Sequence, residues 1–104
     1  MSATSILSPG QTPEFSSTIT VAAGSSVAVA VYTDTGVEVP SGVSLQLFRQ
    51  TLTGAYQPFY TYPGGPVYLS QQLTVYLITI PGTYQFKREN ISAYGVNVGI
   101  EQGS

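Results

Sequence analysis

The sequence has no histidine, no cysteine and no tryptophan, and it has only three basic and five acidic residues among 104. Acid–base and nucleophilic catalysis near pH 7 normally uses a histidine, a thiolate or two neighbouring carboxylates. Because these groups are missing or scattered, we expect a protein that is not an enzyme and that has no catalytic, cofactor-binding or metal-binding residues. The absence of cysteine also excludes a disulfide framework.

Clustered positive charge is lacking as well. The basic residues are Arg49, Lys87 and Arg88, and the formal net charge is −2. Binding to a phosphate backbone requires several lysines and arginines on one face, so no nucleic-acid partner is expected. The start of the chain, MSATSILSPG, has neither a basic segment nor a long apolar run. It predicts no secretory signal and no membrane span, and therefore synthesis in a cytoplasm.

Most of the chain alternates apolar and polar residues with the period of two that is typical of β-strands. In the segment 25–32, for example, three valines lie on one side and two alanines and a tyrosine on the other. About seven such short segments, separated by turn residues, predict an all-β fold, an immunoglobulin-like antiparallel β-sandwich. The predicted strands are 17–21, 25–32, 43–48, 56–62, 73–80, 83–88 and 94–100, and the short apolar stretch VYL at 67–69 lies between the fourth and the fifth.

Two of these segments have features that predict their place in a sheet. The run 73–80, LTVYLITI, is apolar on both faces and is predicted to be central, whereas Pro58 predicts an edge strand. Tyr84 in PGTYQF is similar to the corner tyrosine of immunoglobulin-type strands, whose hydroxyl bonds back to the preceding loop. The predicted core contains Val29, Leu45, Val75, Leu77, Tyr84 and Val98.

Residues 1–16 have no period, contain two prolines and are predicted to be an extended N-terminal arm, followed by the sandwich domain at 17–104. A disordered leader is one interpretation of this arm. The other is that Ile6, Leu7 and Phe15 lie against a neighbouring chain.

The aromatic residues Tyr56, Phe59, Tyr60 and Tyr62, with Tyr68 close behind, follow one another closely, and the first four are the predicted partner-binding residues. Aromatic side chains are enriched in protein interfaces, and they also stack on sugars. Three interpretations stay open: these rings fill the core and an edge, bind a protein, or bind a glycan.

Two groups of charged residues have simple interpretations. Asp34 and Glu38 supply too few carboxylates for a calcium site, so a solvated turn is expected. The cluster at 87–89, Lys-Arg-Glu, is expected to be a solvated strand end or to face an acidic patch of a partner.

Five segments of the chain, spanning about residues 19–100, together resemble the small β-sandwich virion proteins of tailed bacteriophages, the capsid decoration or cement proteins and related minor structural proteins. These segments are ITVAAGSSVAVAVYTDTG, VPSGVSLQLFRQTLTGAYQP, PVYLS, PGTYQFKR and SAYGVNVGI.

The resemblance implies a protein that is made in the host cytoplasm, lies in the virion and stabilises the capsid through protein–protein contacts. The implied partner is the major capsid protein or another virion structural protein, and the implied state is a homo-oligomer, by analogy a trimer. The alternative function is a carbohydrate-binding or adhesion module of a phage tail or head fibre.

Overall fold

The computed structural model of the protein describes residues 4–61 and 65–103. Regular structure in these ranges is β-strand, apart from one 3₁₀ turn at Ser92–Tyr94. The strands form two antiparallel sheets, of four and six strands, and a small two-stranded ribbon. The prediction of an all-β fold is confirmed.

Twelve strands occur in the described ranges, and six of them are only two or three residues long. They are β1 (Thr4–Gly10), β2 (Glu14–Phe15), β3 (Ile19–Val21), β4 (Val27–Thr33), β5 (Ser44–Gln50), β6 (Tyr56–Pro58), β7 (Tyr60–Thr61), β8 (Gly65–Pro66), β9 (Tyr68–Ser70), β10 (Val75–Ile78), β11 (Gly82–Arg88) and β12 (Val98–Gln102).

The four-stranded sheet has the order β1, β12, β4, β10. The centre of the six-stranded sheet is the pair β11 and β5. Strands β2 and β3 follow one another along the free side of β11, and β6 and β9 follow one another along the free side of β5. Strands β7 and β8 form the ribbon between β6 and β9.

One hydrophobic core contains inward-facing residues of both sheets. Val29 and Val31 of β4 are buried on one side, and Leu45 and Leu47 of β5 are buried on the other. A fully buried Val or Leu side chain stabilises the fold by about 1.5–3 kcal/mol. The further buried apolar residues include Ile19, Val21, Val43, Leu69, Ile78, Phe86, Ile91, Val98 and Ile100.

The burial of Tyr84 and the hydrogen bond of its hydroxyl back to the preceding loop are both present. Its ring is fully buried and lies edge-on to the ring of Phe59, with 5.5 Å between the centroids. Its hydroxyl donates a hydrogen bond to the Ile80 carbonyl oxygen, at 2.5 Å, four residues earlier in the chain. The hydroxyl is thereby satisfied, and the corner before β11 is fixed to the core.

The prediction that the run 73–80 is a central strand is wrong. Strand β10 lies at the edge of the four-stranded sheet, with β4 as its neighbour. Because side chains alternate, Ile78 and Tyr76 point towards the core while Val75 and Leu77 point outward and are exposed. An apolar run on both faces is usual for a strand covered on both sides, but here the outer face is open in the described part of the chain.

For residues 4–16 the structure differs from both interpretations of the predicted N-terminal arm at 1–16, the disordered leader and the arm held by another chain. Residues 4–10 form β1, which pairs with β12 of the same chain, and β2 pairs with β11 in the other sheet. Register shifts between Ser5 and Leu7 and between Leu7 and Gly10 show that β1 is irregular. The first shift allows the adjacent residues Ile6 and Leu7 both to be buried. For this reason the sequence of β1 does not show the alternation of a regular strand.

The last predicted strand begins later than expected. Residues 92–94 form the 3₁₀ turn, which ends at Gly95 with a φ of 68°. The strand then runs from Val98 to Gln102. The glycine matters because a positive φ is strained for residues that carry a Cβ atom.

Candidate binding surface

The outer face of the six-stranded sheet carries several aromatic side chains. Because Leu45, Leu47 and Phe86 face the core, their neighbours in β5 and β11 face outward. The register places Phe15, Lys87, Gln46 and Tyr68 in one row across four strands. The next row contains Gln85, Phe48 and Pro58. We call Phe15, Phe48, Tyr68, Gln46, Gln85 and Lys87 the aromatic face.

Ring contacts join the two rows of the aromatic face. The rings of Phe15 and Phe48 lie edge to face with 6.0 Å between their centroids, and Phe15 is 48 % exposed. The Lys87 ammonium lies 5.6 Å from the Phe15 ring centroid. A cation–π contact at an exposed site contributes about 0.5–1 kcal/mol. Phe15 is therefore oriented by its neighbours while much of its ring remains open to solvent.

Backbone and side-chain hydrogen bonds hold the segment that carries Phe15. The Ser16 amide donates to the Phe86 carbonyl oxygen at 2.8 Å, and the Phe86 amide donates to the Ser16 hydroxyl oxygen at 2.9 Å. The Gln85 side-chain amide donates to the Ser16 carbonyl oxygen at 3.2 Å. Because these three hydrogen bonds attach Ser16 to β11, the adjacent Phe15 is held in a fixed position on the sheet.

The predicted partner-binding residues do not form one surface. Ile6, Leu7 and Phe59 are buried in the core, so they cannot contact a partner without unfolding. Phe15 lies on the aromatic face, and Tyr60 is exposed on the ribbon. The remaining two are Tyr56, which is half-buried in β6, and Tyr62, which lies outside the described residues.

Sequence reasoning missed Phe48 as a surface candidate, although it noted Tyr68 behind the aromatic residues at 56–62. The signal was present, because the alternation that places Leu45 and Leu47 inward also places Phe48 outward. The close spacing of the aromatic residues favoured 56–62 instead, where the chain changes from β6 to the ribbon. The strand pattern was the more informative signal.

The position of Arg88 also differs from the prediction for the cluster at 87–89. The side chain is 2 % exposed and is neither a solvated strand end nor free for an acidic partner. Its guanidinium donates to the carbonyl oxygens of Thr12, Ser8 and Val98 at 2.7–2.8 Å, and it lies 3.4 Å from a carboxylate oxygen of Glu14. Burial lowers the pKa of Arg88 from its ordinary value, and the nearby Glu14 charge opposes that shift.

Gly10 and Gly99 make room for this arrangement. A Cβ atom at Gly10 would lie 2.9 Å from a guanidinium nitrogen of Arg88. At Gly99, a Cβ atom would lie 2.5 Å from the Leu7 carbonyl oxygen and 2.8 Å from the Pro9 nitrogen. Both glycines are therefore required by the close approach of the N-terminal segment.

The expected solvated turn at Asp34 is consistent with its surroundings. Asp34 is exposed, and its carboxylate accepts a hydrogen bond from the Asn97 side-chain amide at 2.9 Å. Across residues 4–61 and 65–103 no three potential metal-ligating side chains come together. Within the same ranges, no helix has the length and apolar character needed to cross a membrane.

Comparison with known proteins adds no relative. No family model, curated protein or solved structure matches this chain. A function is therefore inferred from the aromatic face, and an association between copies from the edge strand β10.

Proposed function

We propose that the protein is a non-enzymatic structural protein of a virus particle, a capsid decoration or cement protein of a tailed bacteriophage. In this proposal the aromatic face binds the major capsid protein or another virion structural protein. The support comes from the resemblance described above and from the exposed rings of the aromatic face. We also propose that the two sheets form an immunoglobulin-like sandwich, which the Tyr84 corner supports.

The aromatic face has the composition of a protein interface. Interfaces are enriched in aromatic residues and have few charges at their centre. Phe15, Phe48 and Tyr68 supply apolar area, and Lys87 is the single charged residue of this face. Gln46, between Lys87 and Tyr68, offers an amide group to a partner, whereas the Gln85 amide already donates to the Ser16 carbonyl oxygen.

The position of the rings on paired strands favours binding. Strands β5 and β11 pair over five consecutive residues, and β2 and β9 are attached to their outer sides. Because the backbone of this surface is already ordered, the protein loses little conformational entropy when a partner binds to it. On a capsid, many symmetry-related copies of one contact also strengthen attachment through avidity.

A second candidate function is a carbohydrate-binding or adhesion module of a phage tail or head fibre. The observation that favours it is the placement of open aromatic rings beside glutamine side chains on one face. Sugars stack on aromatic faces and exchange hydrogen bonds with amides. The same residues therefore serve both candidates, and only the ligand differs.

The direct experiment is co-sedimentation of the purified protein with virus particles of its source. Phe48→Ala should weaken binding by about 1–2 kcal/mol, roughly five- to thirtyfold, if Phe48 is an anchor of the interface. The matched control is Leu52→Ala, because Leu52 is a fully exposed apolar residue in the turn after β5 and outside the aromatic face. This control should bind as the parent protein does.

Two results would contradict the cement proposal. Equal particle binding by the parent protein and Phe48→Ala, with both folded by circular dichroism, would exclude the aromatic face. Binding to a defined oligosaccharide that is lost in Phe48→Ala, with particle binding unchanged, would favour the adhesion module.

A further inference from the structure

Among the described strands, β10 has one neighbour, β4, and its other hydrogen-bonding edge is open. It pairs with β4 in a regular antiparallel register from Val75 to Ile78. The Val31 amide donates to the Thr74 carbonyl oxygen at 2.9 Å, which makes 74 and 31 a hydrogen-bonded pair. In an antiparallel ladder such pairs alternate, so the amide and carbonyl groups of Val75 and Leu77 point away from β4.

The side chains of the same two residues are apolar and exposed. Val75 is 58 % exposed and Leu77 is 52 % exposed. They lie opposite Ala30 and Ala28 of β4 on the outer face of the sheet. Small side chains beside exposed Val and Leu leave a low, apolar surface that ends at the open edge.

The other sheet edges carry features that prevent strand addition, whereas β10 does not. Strand β1 contains Pro9 and two register shifts. Strand β6 contains Pro58, β2 includes Glu14, and β2, β3 and β9 are only two or three residues long. Proline, charge, irregularity and short length are the usual means by which proteins protect sheet edges.

Charge does not oppose the pairing of two copies at this edge. No charged residue occurs between Arg49 and Lys87 in the sequence, and Glu101 is the single charged residue in the four strands of this sheet. Glu101 lies in β12, two strands from β10. In a two-fold pair, five strand spacings would separate the two Glu101 residues by about 24 Å, well beyond the screening length at physiological salt.

We propose that two copies of this protein pair antiparallel through β10, so that their four-stranded sheets join into one continuous sheet of eight strands. Val75 and Leu77 would then exchange backbone hydrogen bonds with the second copy and pack against its Val75 and Leu77. An identical strand is a suitable occupant because it is equally apolar, uncharged and regular. This proposal does not depend on the proposed function.

The pair is expected to be weak in solution. Pairing a strand of four residues buries less than the roughly 1,200 Å² of accessible surface that stable interfaces need. The dimer should therefore form with rising protein concentration, and on a particle it would be strengthened by avidity. It is also a two-fold assembly, in contrast to the trimer expected by analogy.

Sedimentation velocity of the full chain from micromolar to millimolar concentration tests the proposal. The parent protein should change from monomer to dimer across this range. Val75→Lys should weaken the dimer at least tenfold, because an ammonium group would be placed at the edge of each copy. Val37→Lys is the matched control, since Val37 is 51 % exposed and lies in the loop after β4. It should dimerise as the parent does.

Hydrogen exchange identifies the strand that pairs. The Val75 and Leu77 amides should exchange more slowly as the dimer forms, while exposed turn amides such as that of Thr53 stay unchanged. A monomer at all concentrations would overturn the proposal. A dimer or trimer that persists in Val75→Lys, or that leaves β10 exchange unchanged, would overturn it as well, because the copies would then meet elsewhere.

Discussion

Strands β1 and β10 form opposite edges of the same four-stranded sheet, but within residues 4–61 and 65–103 other segments close only the β1 edge. The Ile6 carbonyl oxygen of β1 accepts a hydrogen bond from the Ser17 amide at 2.7 Å, and the Ser8 carbonyl oxygen accepts one from Arg88 at 2.8 Å. At β10 the corresponding groups of Val75 and Leu77 face outward. One edge is therefore closed by polar contacts, and the other is apolar and open.

Arg88, one of only eight charged residues in the sequence, makes part of the contacts that close the β1 edge. Arg88 comes from the six-stranded sheet and joins it to the N-terminal segment and to β12. A buried arginine that satisfies three carbonyl groups connects segments that would otherwise leave those groups unpaired. Strand β10 has no comparable partner in the described part of the chain, which leaves it available for association.

The largest effect is expected for Arg88→Met. This change keeps most of the side-chain volume but leaves the Ser8, Thr12 and Val98 carbonyl groups without their donor. We expect a loss of about 3–5 kcal/mol in the free energy of unfolding, as for other broken buried ionic networks. Thermal denaturation should show the midpoint lower by roughly 12 °C or more.

The neighbouring Lys87→Met is the control for this prediction. Lys87 is half-buried, and its ammonium lies 3.6 Å from the Glu89 carboxylate at the surface. An exposed ion pair contributes little and the cation–π contact with Phe15 about 0.5–1 kcal/mol, so the change should cost no more than about 1 kcal/mol. Equal midpoints for the two variants would show that Arg88 does not close the β1 edge.

Gly99→Ala should also weaken the closed edge. The new methyl group would meet the Leu7 carbonyl oxygen and the Pro9 nitrogen, both backbone atoms of β1. We expect a loss of about 1–3 kcal/mol, the usual cost of overpacking. In Gly103→Ala the nearest atoms belong to Ala28 at 3.8 Å, so urea denaturation should show that variant close to the parent protein. Similar losses in both would argue against the close approach of β1 to Gly99.

Truncation at the open edge should cost much less. Val75→Ala removes methyl groups that already face solvent, and its expected effect is below about 1 kcal/mol. Val29→Ala, on the neighbouring strand but fully buried, should cost about 2 kcal/mol or more. Denaturation at low protein concentration measures both as monomers. A larger loss for Val75→Ala than for Val29→Ala would place β10 inside the sheet, as the sequence first indicated.

The smallest effect concerns Tyr76, the inward-facing tyrosine of β10. Burial raises the pKa of its phenol above the ordinary value of 10.0, and the nearby Tyr84 phenol adds to the rise. The neutral form is thus favoured in the folded state. Its contribution to stability is complete below pH 10 and is lost as the pH rises through the raised pKa. Tyr76→Phe should therefore lose less stability between pH 8 and pH 11 than the parent protein, as measured by thermal midpoints.

The sequence pattern predicted where the strands lie better than it predicted which strands are neighbours in the sheet. Alternation located the buried residues of β4, β5 and β11 because regular strands repeat every two residues. It failed at β1, where a register shift allows the adjacent Ile6 and Leu7 both to be buried. It also failed at β10, because the pattern of one strand does not specify how many neighbours that strand has.

The candidate surface was predictable only in part. Phe15 was identified as a contact residue, but it was expected to lie on an extended arm rather than on a paired strand of the sheet. Phe48 follows from the alternation in β5, whereas its contact with Phe15 depends on β2 pairing with β11. The role of Arg88 could not be predicted because its carbonyl partners lie about ten, 76 and 80 residues away.

Native-state amide hydrogen exchange of the monomer tests the contrast between the two edges most directly. At micromolar concentration, the β1 amides that pair with β12 should exchange almost as slowly as those of β11, because β1 is part of the folded domain. The Val75 and Leu77 amides should exchange far faster than the paired amides of Tyr76 and Ile78. Rapid exchange throughout residues 4–10, together with protection of Val75 and Leu77 in the monomer, would contradict the account.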